Sequence, residues 1–191
     1  MLLVRKWSNE AGIVIIALPM IILLMVILVS VVRLSHCSVS TNVILKNTTT
    51  IAVKGAVNQL DEAGCIDFEK ARMVFEELLK NNMELGDNLE PQTGSAFTDK
   101  VEYGLLIYNG QQTEAYPSGI QYVYKNGVLT RTEIDLEGFP QTCYIPGGIE
   151  ANFNSPGVMA MIEAEPKGIF GKGKPCKKYA EAETANRQPS V

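Results

Sequence analysis

The segment Asn9–Cys37, NEAGIVIIALPMIILLMVILVSVVRLSHC, is the least polar part of the chain and decides how the rest is interpreted. Within it, Ile13–Val32 carries no charge, and only Pro19 and Ser30 interrupt the apolar run. About 20 helical residues, at about 1.5 Å each, match the hydrocarbon core of a bilayer. The segment therefore predicts a transmembrane helix over residues 13–34, after a cytoplasmic segment over residues 1–12.

Two alternatives would remove this segment from the mature protein. A cleavable signal peptide has a shorter apolar stretch, of about 7–15 residues, and ends at a small-x-small site. Here the run is longer, and Arg33 follows it before any such site. A lipoprotein leader needs a small residue before its modified cysteine, whereas His36 precedes Cys37. A permanent anchor fits the residues better than either.

Basic residues beside the span set its expected orientation. Arg5 and Lys6 precede the span and Arg33 follows it, and basic residues tend to stay on the cytoplasmic side. The short N-terminal segment has little else to hold it back. We therefore expect a single-pass protein of the cell membrane, in contact with the lipid bilayer, with its N-terminus in the cytoplasm and its C-terminal domain outside.

The helix is expected to continue beyond the span as a stem within residues 35–84. Small or apolar residues recur there at helical spacing, and Thr48–Thr50 would permit a break, because threonine is a poor helix former. Small residues let another helix approach closely, so the candidate helix-packing positions are Ala17, Pro19, Ala52, Gly55 and Ala56. Filling the domain core is the simpler role for the last three, and packing between molecules is the alternative.

A second helix is the clearest amphipathic element of the chain. Gly64 suits a left-handed turn, and Asp67 can cap the helix that follows. One face of DFEKARMVFEELLKNN is apolar, made of Phe68, Ala71, Phe75, Leu78 and Leu79. Solvation is the expected role of its acidic face, Glu69, Glu76 and Glu77.

After residue 99 the apolar period changes to two, which indicates strands. Candidates are residues 101–108, 120–125, 128–136 and 157–164. Asn126-Gly127 favours a type I′ hairpin turn, because both positions need positive φ. A two-residue loop would oppose Lys125 to Val128 and Tyr122 to Arg131. The predicted fold is α+β: a transmembrane helix, a helical stem, an amphipathic helix and a small antiparallel sheet over residues 85–171. The polar tail, residues 172–191, is expected to be disordered.

Catalytic chemistry is poorly represented among the residues. The chain has 191 residues, a net charge of −4 and a single histidine, and that histidine, His36, abuts the apolar segment. A histidine-based triad in the domain is therefore excluded. The cysteines lack C-x-x-C spacing, which argues against a zinc site. Cys143 and Cys176 form a candidate disulfide if the domain is extracytoplasmic. We expect no cofactor, no metal, no enzyme activity and no nucleic-acid partner.

The order Glu10-Ala11-Gly12, an apolar run broken at Leu18-Pro19, a helical stem and a small domain resembles the TadE-like proteins of tight-adherence (Flp) pilus systems. The resemblance covers residues 8–60, and a glutamate that members carry early in the run is absent from Ile13–Leu18. It implies a prepilin-like structural or assembly protein of a surface pilus or related secretion machine. It also implies cleavage between Gly12 and Ile13, and other pilin-like subunits, platform proteins or further copies as partners.

Two other functions compete with this interpretation. The first is a membrane-tethered binding module whose sheet meets a ligand or partner through its tyrosines, Tyr103, Tyr108, Tyr116, Tyr122 and Tyr124. The second is a membrane-bound enzyme, for which the sequence offers no convincing set of polar residues. Replacing the apolar run by an unrelated apolar helix separates assembly from tethering, because a tether would tolerate the exchange and an assembly helix would not.

Overall fold

A computed structural model describes residues 2–111, 117–145, 148–168 and 171–184, without the side chains of residues 2–17, 33–38 and 171. The chain divides into two compact units, Met1–Val39 and Ser40–Val191. The first unit consists of helix. The second carries the sheet and the hydrophobic core.

In the part of the chain that the structure describes, two α-helices precede the strands. Helix α1 runs over Leu2–Val57, so its last turns belong to the second unit, and α2 runs over Phe68–Met83. The threonines do not break α1, because Thr49 and Thr50 direct their hydroxyls to the carbonyls of Leu45 and Lys46, four residues earlier. In this arrangement the threonine hydroxyl is satisfied inside the helix instead of competing with it.

The turn between the helices follows the sequence prediction. Gly64 has φ +81°, and Asp67 caps α2 by accepting a hydrogen bond from the Lys70 amide at 3.0 Å. The predicted apolar face of α2 is buried at Phe68, Ala71, Phe75 and Leu79. Both the start of this helix and its packing face are thus confirmed.

Nine strands follow among the described residues: β1 Glu102–Tyr108, β2 Gly119–Lys125, β3 Val128–Ile134, β4 Gln141–Ile145, β5 Ile149–Phe153, β6 Gly157–Ala164, β7 Lys167–Gly168, β8 Gly171–Lys172 and β9 Cys176–Glu183. Five of them form one antiparallel sheet in the order β3-β2-β1-β6-β9, and β4-β5 and β7-β8 form two-stranded sheets. The predicted hairpin has the predicted register, with Lys125 opposite Val128. Its turn residues, Asn126 and Gly127, have φ +52° and +80°.

The five-stranded sheet has a core on each face. Alternate residues of β1, such as Leu105 and Ile107, join a cluster with α2 and the end of α1. The residues between them, Leu106 and Tyr108, join a second cluster with β4, β5 and β6. This is the two-residue period of a strand buried on both faces.

Helix α1 is buried along one stripe where it belongs to the second unit. Residues three and four apart lie on the same helix face, and the buried positions follow that spacing: Thr41, Leu45, Thr48, Thr49, Ala52, Val53, Ala56 and Val57. Ile51 and Lys54, between them, are exposed. The predicted stem is therefore part of the domain core.

The prediction of a transmembrane helix is wrong. Over the part of the chain that the structure describes, no helix has the length and apolarity needed to cross a membrane. The predicted fold class is corrected in its first element. The expected cell-membrane location and single-pass orientation are overturned with it.

The predicted disordered tail is also wrong over β9. Cys176–Glu183 pairs along its whole length with β6, and Ala164 opposes Cys176 at one end of the ladder. Residues 185–191 lie outside the described residues. The β4-β5 hairpin, which covers the second face of the sheet, has no counterpart among the predicted strands.

Candidate functional site

The most unusual surface in the described residues is the apolar segment of α1, which we define as Leu18–Val32. Thirteen large hydrophobic side chains in it are 53% to 66% exposed. No charged residue lies between its ends, and the only other members are Pro19 and Ser30. Ser30 donates its hydroxyl to the carbonyl of Val26 at 2.7 Å, so even this polar group is satisfied within the helix. The segment is a cylinder that is apolar on all sides.

An exposed apolar surface of this extent indicates contact with other apolar groups. Contiguous apolar patches beyond a few hundred Å² are rare on monomeric proteins and mark sites of association. A helix that is hydrophobic all round is normally surrounded by apolar material. The apolar segment of α1 is therefore the leading candidate for a functional surface.

The candidate helix-packing residues separate into two groups. Ala52 and Ala56 are fully buried in the core of the second unit. Gly55 lies against α2, where an added Cβ would clash with Leu78 Cδ1 and stand 3.3 Å from Val74 Cγ1. Gly55 thus permits close packing of two helices of the same chain. The simpler of the two predicted roles, filling the core, is the one that the structure favours.

The other candidates lie in the first unit. Pro19 is inside α1 and exposed. Gly12 and Ile13, the residues of the expected processing site, belong to the backbone of α1. Their side-chain surroundings, like those of Ala17, lie outside the described residues. Processing between Gly12 and Ile13 stays a prediction.

Three of the tyrosines predicted to form a ligand surface are buried. Tyr103, Tyr108 and Tyr122 are 3% exposed or less. Tyr124 is partly buried and stacks on Tyr103 with ring centroids 5.7 Å apart. Tyr116 lies outside the described residues. The predicted tyrosine-based ligand surface is corrected, because the rings fill the two cores.

A polar network connects α2 to the sheet. Arg72 contacts Glu69 Oε2 at 3.2 Å and Glu76 Oε1 at 2.9 Å. Tyr122 donates to Glu69 Oε1 at 2.9 Å, and Tyr103 donates to Glu76 Oε1. The sequence predicts no more than solvation for these carboxylates, yet two of the three fasten α2 to β1 and β2.

The network keeps both phenols protonated. Burial, followed by the hydrogen bond to Glu76, raises the pKa of Tyr103 far above its ordinary value. Burial and the hydrogen bond to Glu69 raise the pKa of Tyr122 in the same direction. A phenol that cannot ionise near neutral pH is a permanent donor. The arrangement is therefore that of a structural clamp.

A cavity of about 630 Å³ opens beside the turn between the helices. Its floor is apolar, with Ile66, Phe68 and Ile120, and its rim carries Asp67, Glu69 and Arg131. Asp67 is engaged by the Lys70 amide and Glu69 by Tyr122. Asp67 and Glu69 therefore serve the fold.

Asn109 closes the inner end of this cavity. Its side chain is buried, accepts from the Ile66 amide at 2.8 Å and donates to the Ile66 carbonyl at 3.0 Å. One amide therefore satisfies both backbone groups of a buried residue. It holds the turn between the helices against the end of β1.

The candidate disulfide does not form. Cys143 and Cys176 are both free. Cys143 belongs to the cluster under β4 and β5, whereas Cys176 packs against the cluster on the helix side of the sheet. The two thiols thus lie on opposite faces of the sheet. Burial raises the pKa of Cys143 to about 11, which leaves it protonated and poorly nucleophilic.

Cys65, at the cavity, has a raised pKa as well. Burial is the main cause, and the charge of Asp61 adds to it. A reactive cysteine needs the opposite environment, one that stabilises the thiolate. The cavity is therefore not arranged around an activated nucleophile.

Comparison with known protein families, with characterised proteins and with solved structures gives no match for this chain.

Proposed function

We propose that the chain is a structural or assembly subunit whose apolar segment of α1 packs against apolar helices of other subunits, as prepilin-like proteins do in a surface fibre or a related secretion machine. The folded unit beginning at Ser40 would then be the part that the assembly displays. The exposure of thirteen large apolar side chains over Leu18–Val32 carries the proposal.

The energy at stake supports association. Full burial of one large apolar side chain stabilises by about 1.5–3 kcal/mol. The thirteen side chains are already close to half covered by their own helix, so completing their burial would contribute on the order of 10–20 kcal/mol. That is comparable to the whole stability of a domain. Each neighbouring helix can cover one side of the apolar segment. Several helices packed around it would therefore cover a helix that is apolar on all sides.

The polar side chains of the second unit also support a structural role, because they hold its helices and strands together. Glu69, Glu76 and Arg72 join α2 to the sheet, and Asn109 holds the turn between the helices. Carboxylate, guanidinium and amide groups of this kind are the ones that enzymes use to bind substrates and transfer protons. Their contacts give the unit rigidity.

The test is the assembly state of the purified full chain, measured by sedimentation velocity and native mass spectrometry. The double variant Ile22→Lys/Val26→Lys places two charges on one side of the apolar segment, since residues four apart share a helix face. We expect the wild type to sediment as an assembly and the variant to dissociate to smaller species.

Tyr179→Lys is the matched control. Tyr179 is 56% exposed, like Ile22, but lies on β9 in the second unit. This variant should assemble like the wild type. A wild-type chain that stays monomeric at concentrations well above those in the cell, or equal dissociation of both variants, contradicts the proposal.

A further inference from the structure

The outer edge of β3 is a strand edge open to pairing. Among the described residues β3 pairs only with β2, through an unbroken register from Val128 to Ile134. Six of its seven residues are exposed. It contains no proline and no bulge, the usual devices that prevent an edge strand from pairing with another chain.

The opposite edge of the same sheet is guarded. Strand β9 carries four charges in eight residues, on Lys177, Lys178, Glu181 and Glu183. Charged side chains, lysine above all, discourage edge pairing. Strand β3 carries only Arg131 and Glu133, which lie on one face 3.1 Å apart. The β9 edge of the sheet is therefore better protected by charges against pairing with another chain than the β3 edge.

The hairpin turn fixes which backbone groups of β3 face outward. Residues that flank a two-residue turn exchange both of their hydrogen bonds, and the bonding then alternates along the strand. Lys125 and Val128 flank the turn. It follows that Leu129, Arg131 and Glu133 direct their N–H and C=O groups away from β2, toward the free edge.

We propose that β3 pairs antiparallel with β3 of a second copy of this chain, about a two-fold axis at Thr132. In this register Arg131 lies opposite Glu133 of the second copy, and Glu133 lies opposite Arg131 of the second copy. Both are hydrogen-bonded positions, and Thr132 meets its own counterpart. The two five-stranded sheets become one continuous sheet.

Charge complementarity selects this register from its neighbours. A shift that centres the axis on Arg131 sets two like charges directly opposite, which is destabilising. A shift that centres it on Thr130 pairs Arg131 with Leu129 and leaves both charges without a partner across the interface. The axis at Thr132 gives two Arg–Glu pairs in one symmetric contact. An isologous interface of this kind closes as a dimer.

This interface is separate from the proposed function, because it involves no residue of the apolar segment of α1. Cross-linking tests it in the full chain. Thr132→Cys brings two thiols together at a non-hydrogen-bonded pair, where opposed Cβ atoms lie about 4.5–5.5 Å apart. Mild oxidation should therefore give a covalent dimer, and mass spectrometry should identify a disulfide that joins the two introduced thiols.

Thr130→Cys is the matched control, on the same face and two residues from the axis. Its two thiols would lie four residues apart along the ladder, about 13 Å, and should not cross-link. A dimer formed by the Thr130→Cys variant and not by Thr132→Cys would overturn the register. Absence of any dimer of the Thr132→Cys variant, in protein whose thermal unfolding matches the wild type, would overturn the interface.

A charge exchange tests the pairing itself. In the Thr132→Cys chain, Arg131→Glu should lower the cross-linking yield at limiting concentration by about tenfold, because two attractive pairs become repulsive. Adding Glu133→Arg should restore it. Failure of the double exchange to restore cross-linking would contradict the proposed pairs. Cross-linking should persist when Ile22→Lys/Val26→Lys has abolished larger assembly, so either proposal can fail without the other.

Discussion

Two stretches of helix α1 differ in the exposure of their apolar side chains. In Leu18–Val32 nearly every side chain is large and apolar, and the large ones are more than half exposed. From Thr41 to Val57 eight residues are buried, most of them small, and three of the eight are threonines. Hydrophobicity alone therefore does not locate the core of this protein.

The difference lies in pattern. The later stretch alternates buried and exposed residues at a period of three to four, so one face fits α2 and the sheet while the other meets water. The earlier stretch has no polar face, so no packing on a single side could cover it. A helix with a polar face can complete its burial within a domain, whereas one without needs neighbours all around.

The largest expected effect comes from removing the same atoms from each stretch. Leu45→Ala truncates a fully buried leucine, and we expect the free energy of unfolding of the second unit to fall by about 2–5 kcal/mol. Leu24→Ala truncates a leucine that is 66% exposed, and the expected change is within about 0.5 kcal/mol. Urea denaturation followed by near-ultraviolet circular dichroism of the tyrosines measures both. Equal losses would break the comparison.

A smaller effect tests how closely the buried stretch packs. Gly55→Val sets side-chain atoms where Leu78 Cδ1 and Val74 Cγ1 already lie, and overpacking of this kind costs about 1–3 kcal/mol. Adding Leu78→Ala opens space, so the double variant should lose less stability than the sum of the single variants. Lys54→Val, at an exposed position one residue earlier, measures the intrinsic cost of valine in this helix. If Gly55→Val and Lys54→Val match, close packing at Gly55 is refuted.

The cap of α2 gives the next effect in size. Asp67→Ala removes the acceptor of the Lys70 amide, and loss of such a cap destabilises by about 1 kcal/mol. Asp67→Asn keeps an acceptor at the same place and should change the stability at pH 7 much less. Thermal unfolding of the two variants separates the cap from the charge. A loss in Asp67→Asn as large as in Asp67→Ala would show that the charge, not the hydrogen bond, holds the helix start.

The smallest effect is a pH dependence that belongs to the second unit alone. The hydrogen bond from the Lys70 amide is the main cause that lowers the pKa of Asp67. A carboxyl with a lowered pKa stabilises the fold above its unfolded value of about 3.9, and this contribution is lost as the pH falls through the lower, folded value. Below about pH 4 the wild type should therefore lose stability relative to Asp67→Asn, as measured by thermal unfolding at a series of pH values. The stretch Leu18–Val32 has no ionisable side chain and should add nothing to this difference.

Turns, the start of a helix and one strand were predicted correctly, because a few adjacent residues determine each of them. Asn126-Gly127 set the turn and, through it, the register of the whole hairpin. Asp67 marked the start of α2 and Gly64 the turn before it. The strand predicted over residues 157–164 is β6. In each case a few adjacent residues carry the information.

Parts that depend on distant partners are not predicted by local patterns. Strand β9 is an edge strand whose more buried side carries the small residues Ala180 and Ala182 together with Lys178, so its pattern resembles a polar tail. The tyrosines resemble a surface set because their acceptors, Glu69 and Glu76, lie on a helix far away in sequence. The transmembrane prediction rests on the length and apolarity of the run, which are local properties of the sequence. The open edge of β3 can be recognised only once the strand order is known.

The side chain of Asn109 takes the place of a neighbouring strand for Ile66, since it offers one donor and one acceptor to the same residue. Chemical identity matters here more than shape. Exchange of the amide nitrogen for an oxygen, atom for atom, would set a carboxylate against the Ile66 carbonyl and turn one of two attractions into a repulsion. The attachment of Ile66 to the end of β1 thus distinguishes an amide from a carboxylate of the same shape, through a single nitrogen atom.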